Sequence, residues 1–519
     1  MIQNLLILGL CLIAFSAGSS AHTDDNDRMH PKVSFPQSSG KQYEDASYWK
    51  KNARDTLAKK LKEPIIETEA KNTVFFLGDG MSLPTVTAAR IYKGQLEKLE
   101  YGEEASLFFE SFPNTAISKT FCSDSQTADS ACSATAYLTG VKANIYTIGV
   151  KPTVNLGNCE AQMNVTNQVE SVLAWAQAAG KSTGIITTTR ITHASPSGTY
   201  AHIAHRDWEN DDMVRKSGQN PDTCDDIAEQ LILRRPGINV NVILGGGRRE
   251  FTPTSVIDPE EKIGGKRTDN KNLIEIWKVL KSGKKAQYVS TRAEFEKIDP
   301  KETDFVLGLF NYDHLSYHLD STEDPSLPEL TKKAIEILSR NPKGYFLFVE
   351  GGRIDHAHHD NMAQKALMET VMMDKAVETA ANMTSENDTL ILVTADHAHV
   401  FSISGYPKRG NPIMGTAGTS DKDNLPYTTL SYANGPGYKR PTSTGERYDI
   451  SNDDTSHKDY KQPTGLPVYS ETHGGDDVAI FSRGPYSHYL SGVVHQNYIP
   501  HLIGYASCTG SGLRSCSSK

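Results

Sequence analysis

The sequence lacks any excess of positive charge. Its 519 residues contain 54 Lys and Arg against 63 Asp and Glu, so the formal net charge is −9 and the isoelectric point is about 6.0. This balance, together with the lack of a long basic run, argues against nucleic acid as the natural partner. Hydrophobic residues still make up 37% of the chain. That fraction is ample for a folded core and excludes global disorder.

Long hydrophobic runs are almost absent, and the strongly apolar segment lies at the N-terminus. Residues 5–15 are nearly all apolar and are followed by small residues at 17–21 and then by an acidic, polar run. Because a membrane-spanning helix needs roughly 20 apolar residues, we interpret residues 1–21 as a signal peptide and expect a secreted protein. The alternative is a buried N-terminal strand. At the C-terminus we find no hydrophobic tail of the kind that a glycolipid-anchor signal requires, so no such anchor is expected.

The cysteines form no Cys-x-x-Cys pattern of the kind that binds zinc. One of the seven, Cys11, falls in the predicted signal peptide, which leaves an even set. The remaining six are Cys122, Cys132, Cys159, Cys224, Cys508 and Cys516. An even set in a secreted chain favours disulfide bonds. Three glycosylation sequons agree with secretion, at Asn164, Asn382 and Asn387.

Short apolar runs alternate with helical periodicity along most of the chain. This pattern predicts an α/β fold with a large, mostly parallel central sheet flanked by helices. The clearest strands are expected at 73–77, 184–187, 240–244, 345–349, 389–393 and 478–481. Helices are expected at 43–62, 169–179, 327–339 and 361–382. We interpret residues 22–519 as one domain with an N-terminal arm helix at 43–62 and an inserted surface subdomain at 405–471, which is rich in Gly, Pro, Ser, Asp and Tyr.

Three of the predicted strands run directly into carboxylates. Asp79, Glu350 and Asp396 each stand at the end of an apolar run. The carboxyl ends of parallel strands meet at one edge of a sheet, where sites assemble. Like charges brought together there are costly unless cations neutralise them. The sequence therefore predicts a metal site at this edge.

Histidines beside these carboxylates indicate which metals are suitable. Asp355 and His359 are four residues apart, so a helix would place both on one face. Asp396 and His397 are adjacent in a predicted turn. Carboxylate and imidazole ligands suit zinc, whereas carboxylate and hydroxyl ligands suit magnesium. The alternative for any single pair is a helix cap or a surface charge, but three clusters after three buried strands favour metal.

The candidate nucleophile is Ser130, in a run of small residues that opens a predicted helix. Free N–H groups at a helix start favour an anion, although a serine needs a base or a metal to become a good nucleophile. The alternative role for Ser130 is a helix cap. No G-x-S-x-G elbow occurs, which disfavours a Ser-His-Asp hydrolase. No G-x-x-x-x-G-K-[ST] phosphate loop occurs either.

Taken together, these segments resemble the alkaline phosphatases over nearly the whole mature chain. The most specific motif is Phe-Val-Glu-Gly-Gly-Arg-Ile-Asp-His at 348–356, and further matches lie at 75–81 and 134–144. The Asp-Ser-Ala-Cys sequence at 129–132 is similar to the arthropod branch of the family. The resemblance implies a metal-dependent phosphomonoesterase that forms a homodimer, with the N-terminal helix and the inserted subdomain at the interface.

The resemblance also implies roles for individual residues. Ser130 would form a phosphoseryl intermediate, and Arg206 would bind two phosphate oxygens. Two zinc ions and one magnesium ion per subunit are implied. The ligands of one zinc would be Asp355, His359 and His473. The ligands of the second zinc would be Asp79, Asp396, His397 and Ser130. The ligands of magnesium would be Asp79, Ser195 and Glu350. Two histidines would lie beside the metals without a direct bond, namely His193 and His399.

Two departures limit the resemblance, namely a weakened peripheral calcium site and the anchor tail common in animal members, which is not found here. A peripheral calcium site of animal members would correspond to Glu260, Phe310 and Asp324, but Asn311 stands where a carboxylate is usual, which weakens the site. For the disulfides, the resemblance pairs Cys159 with Cys224 and Cys508 with Cys516. It leaves Cys122 and Cys132, which either pair with each other or leave a free thiol two residues from Ser130.

Three other functions are considered. A sulfatase needs its nucleophile followed by x-Pro-x-Arg, and the residues after Ser130 are Ala-Cys-Ser-Ala. A phosphodiesterase relative would use Thr as nucleophile and lack Arg206 and the magnesium ligands. A non-catalytic binding protein on this scaffold would have lost a ligand or the nucleophile, and each expected position is intact. The sequence therefore favours a secreted alkaline phosphatase acting on small phosphate monoesters.

Overall fold

The computed structural model of the chain describes residues 44–516. The predicted signal peptide and the first residue of the predicted arm helix, Tyr43, lie outside the described residues. The strands are β1 Asn72–Gly78, β2 Asn114–Lys119, β3 Ser182–Arg190, β4 Val242–Gly246, β5 Ala286–Val289, β6 Phe305–Leu309, β7 Tyr345–Gly351, β8 Thr389–Ala395, β9 Ala398–His399, β10 Phe401–Ile403, β11 Thr416–Thr419, β12 Pro426–Thr428, β13 Leu430–Gly435, β14 Thr464–Pro467, β15 His473–Gly474, β16 Val478–Arg483 and β17 Gly492–His495.

Helices lie between most of these strands. They are α1 Ala46–Lys60, α2 Leu83–Leu96, α3 Ser130–Thr139, α4 Cys159–Met163, α5 Val172–Ala178, α6 Ala194–Ser197, α7 Asp211–Lys216, α8 Ile227–Leu233, α9 Arg248–Phe251, α10 Leu273–Leu280, α11 Arg292–Glu296, α12 Leu327–Leu338, α13 Arg353–His359, α14 Ala363–Met383 and α15 Ile499–Ser507. Within residues 44–516, none of the helices combines the length and the apolar character needed to cross a bilayer.

Ten strands form the central sheet, in the order β17-β2-β16-β8-β1-β7-β3-β4-β6-β5. Strand β16 pairs antiparallel with both of its neighbours, and the remaining pairs are parallel. The prediction of a large, mostly parallel sheet flanked by helices is confirmed. All six expected strands are present, although β4 begins at Val242 rather than at 240.

The apolar run in β1 follows from its place in the middle of the sheet. Val74 and Phe76 pack into the hydrophobic cluster on one face, whereas Phe75 and Leu77 pack into the cluster on the other. Side chains of a strand alternate between faces, so a strand covered by helices on both sides reads as continuously apolar. This burial on both faces leaves only the strand ends open for polar chemistry.

The register of the central strands brings their carboxyl ends together. Leu77 of β1 is aligned with Glu350 of β7 on one side and with Thr394 of β8 on the other. Thr187 of β3 is aligned with the same Glu350. The polar residues after these strands are therefore delivered to one edge of the sheet.

The segment predicted as an inserted subdomain contains short strands of its own. Strands β10, β13 and β14 form a three-stranded sheet, and β11 and β12 form a separate pair. The arm helix runs over Ala46–Lys60 and has no buried residue. The boundaries of the subdomain and of the single domain stay predictions.

Candidate active site

Three buried carboxylates meet at the sheet edge, as the strand register requires. Asp79, Glu350 and Asp396 are each 0% exposed. Burial, together with the charge of Asp396, raises the pKa of Asp79 well above its usual value. Burial raises the pKa of Glu350 to about 7 and also raises the pKa of Asp396. The three carboxyl groups repel one another when ionised. Keeping all three ionised at this edge of the sheet is therefore unfavourable without added positive charge.

Each of the three carboxylates also has one buried oxygen without a hydrogen-bond partner. These atoms are Asp79 Oδ1, Glu350 Oε1 and Asp396 Oδ2. Buried polar atoms are almost always satisfied, so three unpaired carboxylate oxygens in one cluster indicate a bound cation. The donor set therefore fits divalent metal ions.

The first group of ligands is built on helix α13 and strand β15. Asp355 Oδ1 lies 3.3 Å from His359 Nε2 and 3.4 Å from His473 Nε2, while the two Nε2 atoms are 3.1 Å apart. His359 Nδ1 donates to the carbonyl of Glu471, and His473 Nδ1 donates to the carbonyl of Ala128. In neutral rings these bonds leave both Nε2 lone pairs facing the same point. This geometry suits a zinc ligand set, and it follows the four-residue spacing expected for a helix.

His399 lies behind this group and is held between two carboxylates. Its Nδ1 donates to Glu471 Oε2 at 2.5 Å, and its Nε2 donates to Asp355 Oδ1 at 2.8 Å. Although burial lowers the pKa of His399, the two carboxylates, Glu471 first, raise it to about 10. Both ring nitrogens are therefore bonded to carboxylates in this arrangement. The histidines in turn hold the pKa of Asp355 well below its usual value, against the effect of burial.

The second group surrounds His397. His397 Nε2 lies 3.2 Å from Asp396 Oδ2, 3.5 Å from Asp79 Oδ1 and 3.3 Å from Ser130 Oγ. Asp396 and His397 occupy the bend between β8 and β9, as predicted for a turn. Burial lowers the pKa of His397 well below its usual value, so the ring is neutral. Two carboxylates, an imidazole and a hydroxyl thus face one point.

The third group lies on the far side of Asp79. Ser195 Oγ is 3.5 Å from Asp79 Oδ2, and the side chain of His193 approaches Asp79 and Glu350. The hydroxyl of Thr187 donates to Glu350 Oε2, which leaves Oε1 as the unpaired oxygen. Oxygen donors predominate here, and such a set suits magnesium. The His193 Nδ1 atom is also unpaired.

Ser130 is the first residue of helix α3, as the sequence predicted. Asp129 caps this helix by accepting from the backbone N–H groups of Ala131 and Cys132. The same carboxylate accepts from Arg206 Nη1 at 3.0 Å, and Arg206 Nη2 lies 3.2 Å from His193 Nε2. The guanidinium group is therefore fixed at the cap of the helix that Ser130 opens, which is a suitable place for an anion.

The residues expected at the peripheral calcium site have other partners. Glu260 forms an ion pair with Arg248, which also binds Asp258. Asn311 Nδ2 donates to Asp324 Oδ2 at 3.4 Å, and the Phe310 side chain is buried. Unlike the carboxylates at the sheet edge, Glu260 is neutralised by an arginine. Calcium binding stays a prediction.

The six cysteines within residues 44–516 are joined in three pairs. Cys122 is bonded to Cys132, Cys159 to Cys224 and Cys508 to Cys516. The two pairs implied by the resemblance are thus present, and Cys132 is not a free thiol. The three predicted sequon asparagines, Asn164, Asn382 and Asn387, are exposed. Their glycosylation stays a prediction.

Sequence analysis missed three residues that organise the site. Asp129 caps α3 and holds Arg206, Thr187 orients Glu350, and Glu471 holds His399 and the His359 ring. An Asp immediately before a predicted helix is a recognisable cap and could have revealed Asp129. Thr187 and Glu471 give no local signal, because their partners are remote in sequence.

Comparison with known proteins identifies the relatives of this chain. A family model described as alkaline phosphatase matches residues 70–509. The chain is 46% identical over 507 residues to a membrane-bound alkaline phosphatase of Bombyx mori, covering 95% of this chain and 92% of that protein. It is 48% identical over 481 residues to the tissue-nonspecific alkaline phosphatase of Rattus norvegicus, covering 91% and 90%.

Solved structures of lower sequence identity share the fold. The alkaline phosphatase of Thermus thermophilus has a TM-score of 0.61 at 19% identity, covering 88% of this chain and 95% of that one. The alkaline phosphatase of the Antarctic bacterium TAB5 has a TM-score of 0.59 at 21% identity, covering 86% and 100%.

Proposed function

The chain belongs to the alkaline phosphatase family, and on that premise we propose that it is a secreted enzyme that hydrolyses phosphate monoesters through a phosphoseryl intermediate. The observation that carries this proposal is the position of Ser130 Oγ. It lies 3.3 Å from His397 Nε2, at the start of a helix whose cap, Asp129, also binds Arg206. A nucleophile, an anion clamp and a cluster of metal ligands converge there.

We propose two zinc ions and one magnesium ion per subunit at the three ligand groups. Asp355, His359 and His473 would hold the first zinc. Asp79, Asp396, His397 and Ser130 would hold the second zinc. Asp79, Ser195 and Glu350 would hold magnesium. Paired divalent ions of this kind supply charge stabilisation for the entering and leaving oxygens of an in-line displacement and lower the pKa of a bound hydroxyl group.

The residues of the chain would contribute in two chemical steps. In the first, Ser130 Oγ gives up its proton and bonds to phosphorus, while the ester P–O bond breaks and the leaving oxygen takes up a proton. In the second, water gives up a proton as it bonds to phosphorus, the Oγ–P bond breaks, Oγ is protonated again, and inorganic phosphate is released. The planar fork of Arg206 binds two phosphate oxygens in both steps, which a lysine could not reproduce. His193 would accept from Arg206 and help to hold the guanidinium in place, because burial and the charge of Arg206 lower its pKa and keep it neutral.

Secretion and dimerisation are parts of the same proposal. Three disulfide bonds are typical of proteins folded in an oxidising compartment. Helix α1 has no buried residue, and its Tyr48, Trp49 and Leu57 side chains are exposed. An isolated helix with exposed apolar side chains gains stability by packing against a partner. We propose a second copy of this chain as that partner, and sedimentation of the purified protein tests the dimer.

The activity is tested by hydrolysis of p-nitrophenyl phosphate between pH 6 and 11. Parallel reactions contain p-nitrophenyl sulfate or bis(p-nitrophenyl) phosphate, and a chelator is added and then replaced by zinc and magnesium. We expect monoester turnover that rises with pH, is lost with the chelator and returns with the metals. No turnover by protein shown to contain zinc would contradict the proposal and favour a binding role. Preferred hydrolysis of the sulfate or the diester would favour one of the other enzyme classes.

A further inference from the structure

Three aromatic rings form a stack that runs from the buried core to the surface near Arg206. The Tyr146 and His205 rings are nearly parallel, at 5° and 6.2 Å between centroids. The His205 and Trp208 rings follow at 20° and 5.9 Å. Trp208 is buried, whereas Tyr146 is 43% exposed. The stack therefore ends in an aromatic ring that is open to solvent.

The backbone of Tyr146 is hydrogen-bonded to two residues beside the proposed phosphate position, Asp129 and Arg206. The N–H of Tyr146 donates to Asp129 Oδ1 at 3.0 Å, on the carboxylate that caps the helix of Ser130. The carbonyl of Tyr146 accepts from the N–H of Arg206 at 2.9 Å. The guanidinium carbon of Arg206 lies 5.9 Å from the Tyr146 ring centroid. The ring is thus close enough to a phosphate bound at Arg206 for the organic group of a small ester to contact it.

The backbone of Tyr146 is in the left-handed region, with φ at +62°. This conformation is unfavourable for a bulky side chain, and glycine or asparagine would adopt it more easily. Such strain persists where a site has a use for the residue. A second tyrosine with positive φ, Tyr486, is accounted for by packing, because its ring is buried and its hydroxyl donates to the carbonyl of Glu67. The ring of Tyr146 is not buried in this way, because it stacks on His205 but is still 43% exposed.

We propose that Tyr146 is a leaving-group platform, on which a flat aromatic leaving group lies while its phosphate is bound at Ser130 and Arg206. The preferred substrates would be phosphate monoesters of aromatic alcohols. This inference rests on the proposed phosphomonoesterase function. Two aromatic rings in contact attract each other beyond the area they bury. The effect is expected in kcat/KM, which compares free enzyme and substrate with the transition state.

The test compares phenyl phosphate with glycerol 3-phosphate in the purified, metal-loaded enzyme. Tyr146→Asn removes the ring but keeps a residue that tolerates positive φ. We expect the phenyl-to-glycerol ratio of kcat/KM to fall about fivefold, which corresponds to one aromatic contact. For each substrate, kcat/KM of the variant is divided by that of the wild type. The intrinsic difference in reactivity between the two esters therefore cancels. Tyr146→Phe retains the ring, and we expect it to retain the ratio.

The control variant is Tyr489→Asn. Tyr489 is 45% exposed and also lies in an aromatic stack with Tyr486. It follows the end of β16, the reversed strand, and so lies at the opposite edge of the sheet from the site. Its substitution should leave the ratio unchanged.

Three outcomes would overturn the leaving-group platform. One is an unchanged ratio in Tyr146→Asn. Another is loss of the ratio in Tyr146→Phe, which would assign the effect to the hydroxyl group. The third concerns inhibition of Tyr146→Asn by inorganic phosphate, which has no leaving group. If phosphate binding weakens by the same factor as kcat/KM for phenyl phosphate, Tyr146 acts only through Asp129 and Arg206. Absence of turnover with both substrates in the wild type would contradict the proposed function instead.

Discussion

His473 donates its Nδ1–H to the backbone carbonyl of Ala128 at 2.8 Å. Ala128 stands two residues before Ser130, within the loop that the Cys122–Cys132 disulfide closes. A single hydrogen bond therefore links the orientation of a candidate zinc ligand to the segment that carries Ser130, the candidate nucleophile. The disulfide restrains this segment from both ends.

Removal of that disulfide is expected to impair the site without unfolding the domain. In the Cys122→Ser/Cys132→Ala variant, the loop loses a covalent restraint. Both the Ser130 hydroxyl and the His473 ring are then held less firmly in position. We expect kcat/KM for p-nitrophenyl phosphate to fall about tenfold, which is the effect of small misplacements at a catalytic centre. Steady-state kinetics with a thermal melt measures both effects.

The matched control is the Cys508→Ser/Cys516→Ala variant. This disulfide also closes a short loop, of sequence separation 8 against 10, but it lies after helix α15. Equal losses of activity in the two double variants would show that the first disulfide has no special relation to the site. Labelling of the unreduced protein should find none of these cysteines free.

Substitution of the nucleophile separates chemistry from metal binding. Ser130→Ala is expected to lower turnover by at least about a thousandfold, since no neighbouring hydroxyl is positioned to replace it. The six imidazole and carboxylate groups proposed for the two zinc sites remain in this variant, so the metal content should stay the same. Phosphatase assays and elemental analysis of the same preparation provide the two readouts.

Ser133→Ala is the control for this variant. Ser133 is buried on the same helix, but its hydroxyl donates to the carbonyl of Asp129 and faces no metal ligand. It should retain most of the activity. Loss of zinc from Ser130→Ala would argue that the serine is needed to build the site rather than to attack phosphorus.

Glu471 is expected to support zinc binding from behind the ligands. Its side chain accepts from His399, which binds Asp355. In Glu471→Gln, His399 loses one of its two carboxylate partners, and its pKa falls from about 10 toward its usual value. A less firmly held Asp355 should weaken zinc binding about tenfold, which is typical of groups that hold a ligand.

Competition with a chromophoric chelator measures this change. The control is Glu446→Gln, because Glu446 is exposed and its carboxylate contacts Thr444. The prediction is wrong if the two variants release zinc at the same chelator concentration.

Metal-free protein is expected to lose stability as the pH rises. Burial moves the pKa of Glu350 from 4.5 to about 7 in the folded chain. Between these values the folded state binds more protons than the unfolded state, so the free energy of unfolding falls with rising pH. The stabilisation is complete below about pH 4.5 and is lost as the pH passes 7, on the order of 3 kcal/mol for this group alone.

Thermal melts of dialysed, metal-free protein from pH 5 to 8 test this dependence. Protein loaded with zinc and magnesium should show a smaller decrease, because the metals neutralise the carboxylates. Glu350→Gln removes the titrating group and should flatten the metal-free profile. Parallel profiles for metal-free and metal-loaded protein would contradict the expectation.

The strands in the middle of the central sheet were predicted from the sequence more completely than the strands toward its two edges. The central strands are visible because helices cover both faces, so each reads as an apolar run such as Val74 to Leu77. Strands β2, β5, β6 and β17 were not predicted. The side chains of β2, β5 and β17 are largely not buried, as in β17, where Val493 is 60% exposed. Strand β6 was missed although it is apolar and mostly buried.

Some candidate ligands were predictable from local pattern, because Asp79, Glu350 and Asp396 stand at the ends of buried strands and Asp355 and His359 share a helix face. Ser195 and His473 were expected only from the family resemblance. The site's remaining contacts depend on partners far away in the chain. Glu471 and His399 are 72 residues apart, and Thr187 and Glu350 are 163 apart. No local pattern encodes such contacts, since they arise only once the sheet has brought its strands together. The aromatic stack on Tyr146 was missed for the same reason.

Strand β1 sits between β7 and β8, although β1 ends at Gly78 and β7 begins only at Tyr345. During synthesis this early strand has neither neighbour until most of the polypeptide has left the ribosome. Its apolar side chains stay unprotected for that time, and pairing over such a distance is slow and exposed to aggregation. We expect nascent chains that stop before residue 345 to depend on chaperones. Metal loading must then be a late event, because Asp79 meets Glu350 and Asp396 only in the nearly complete chain.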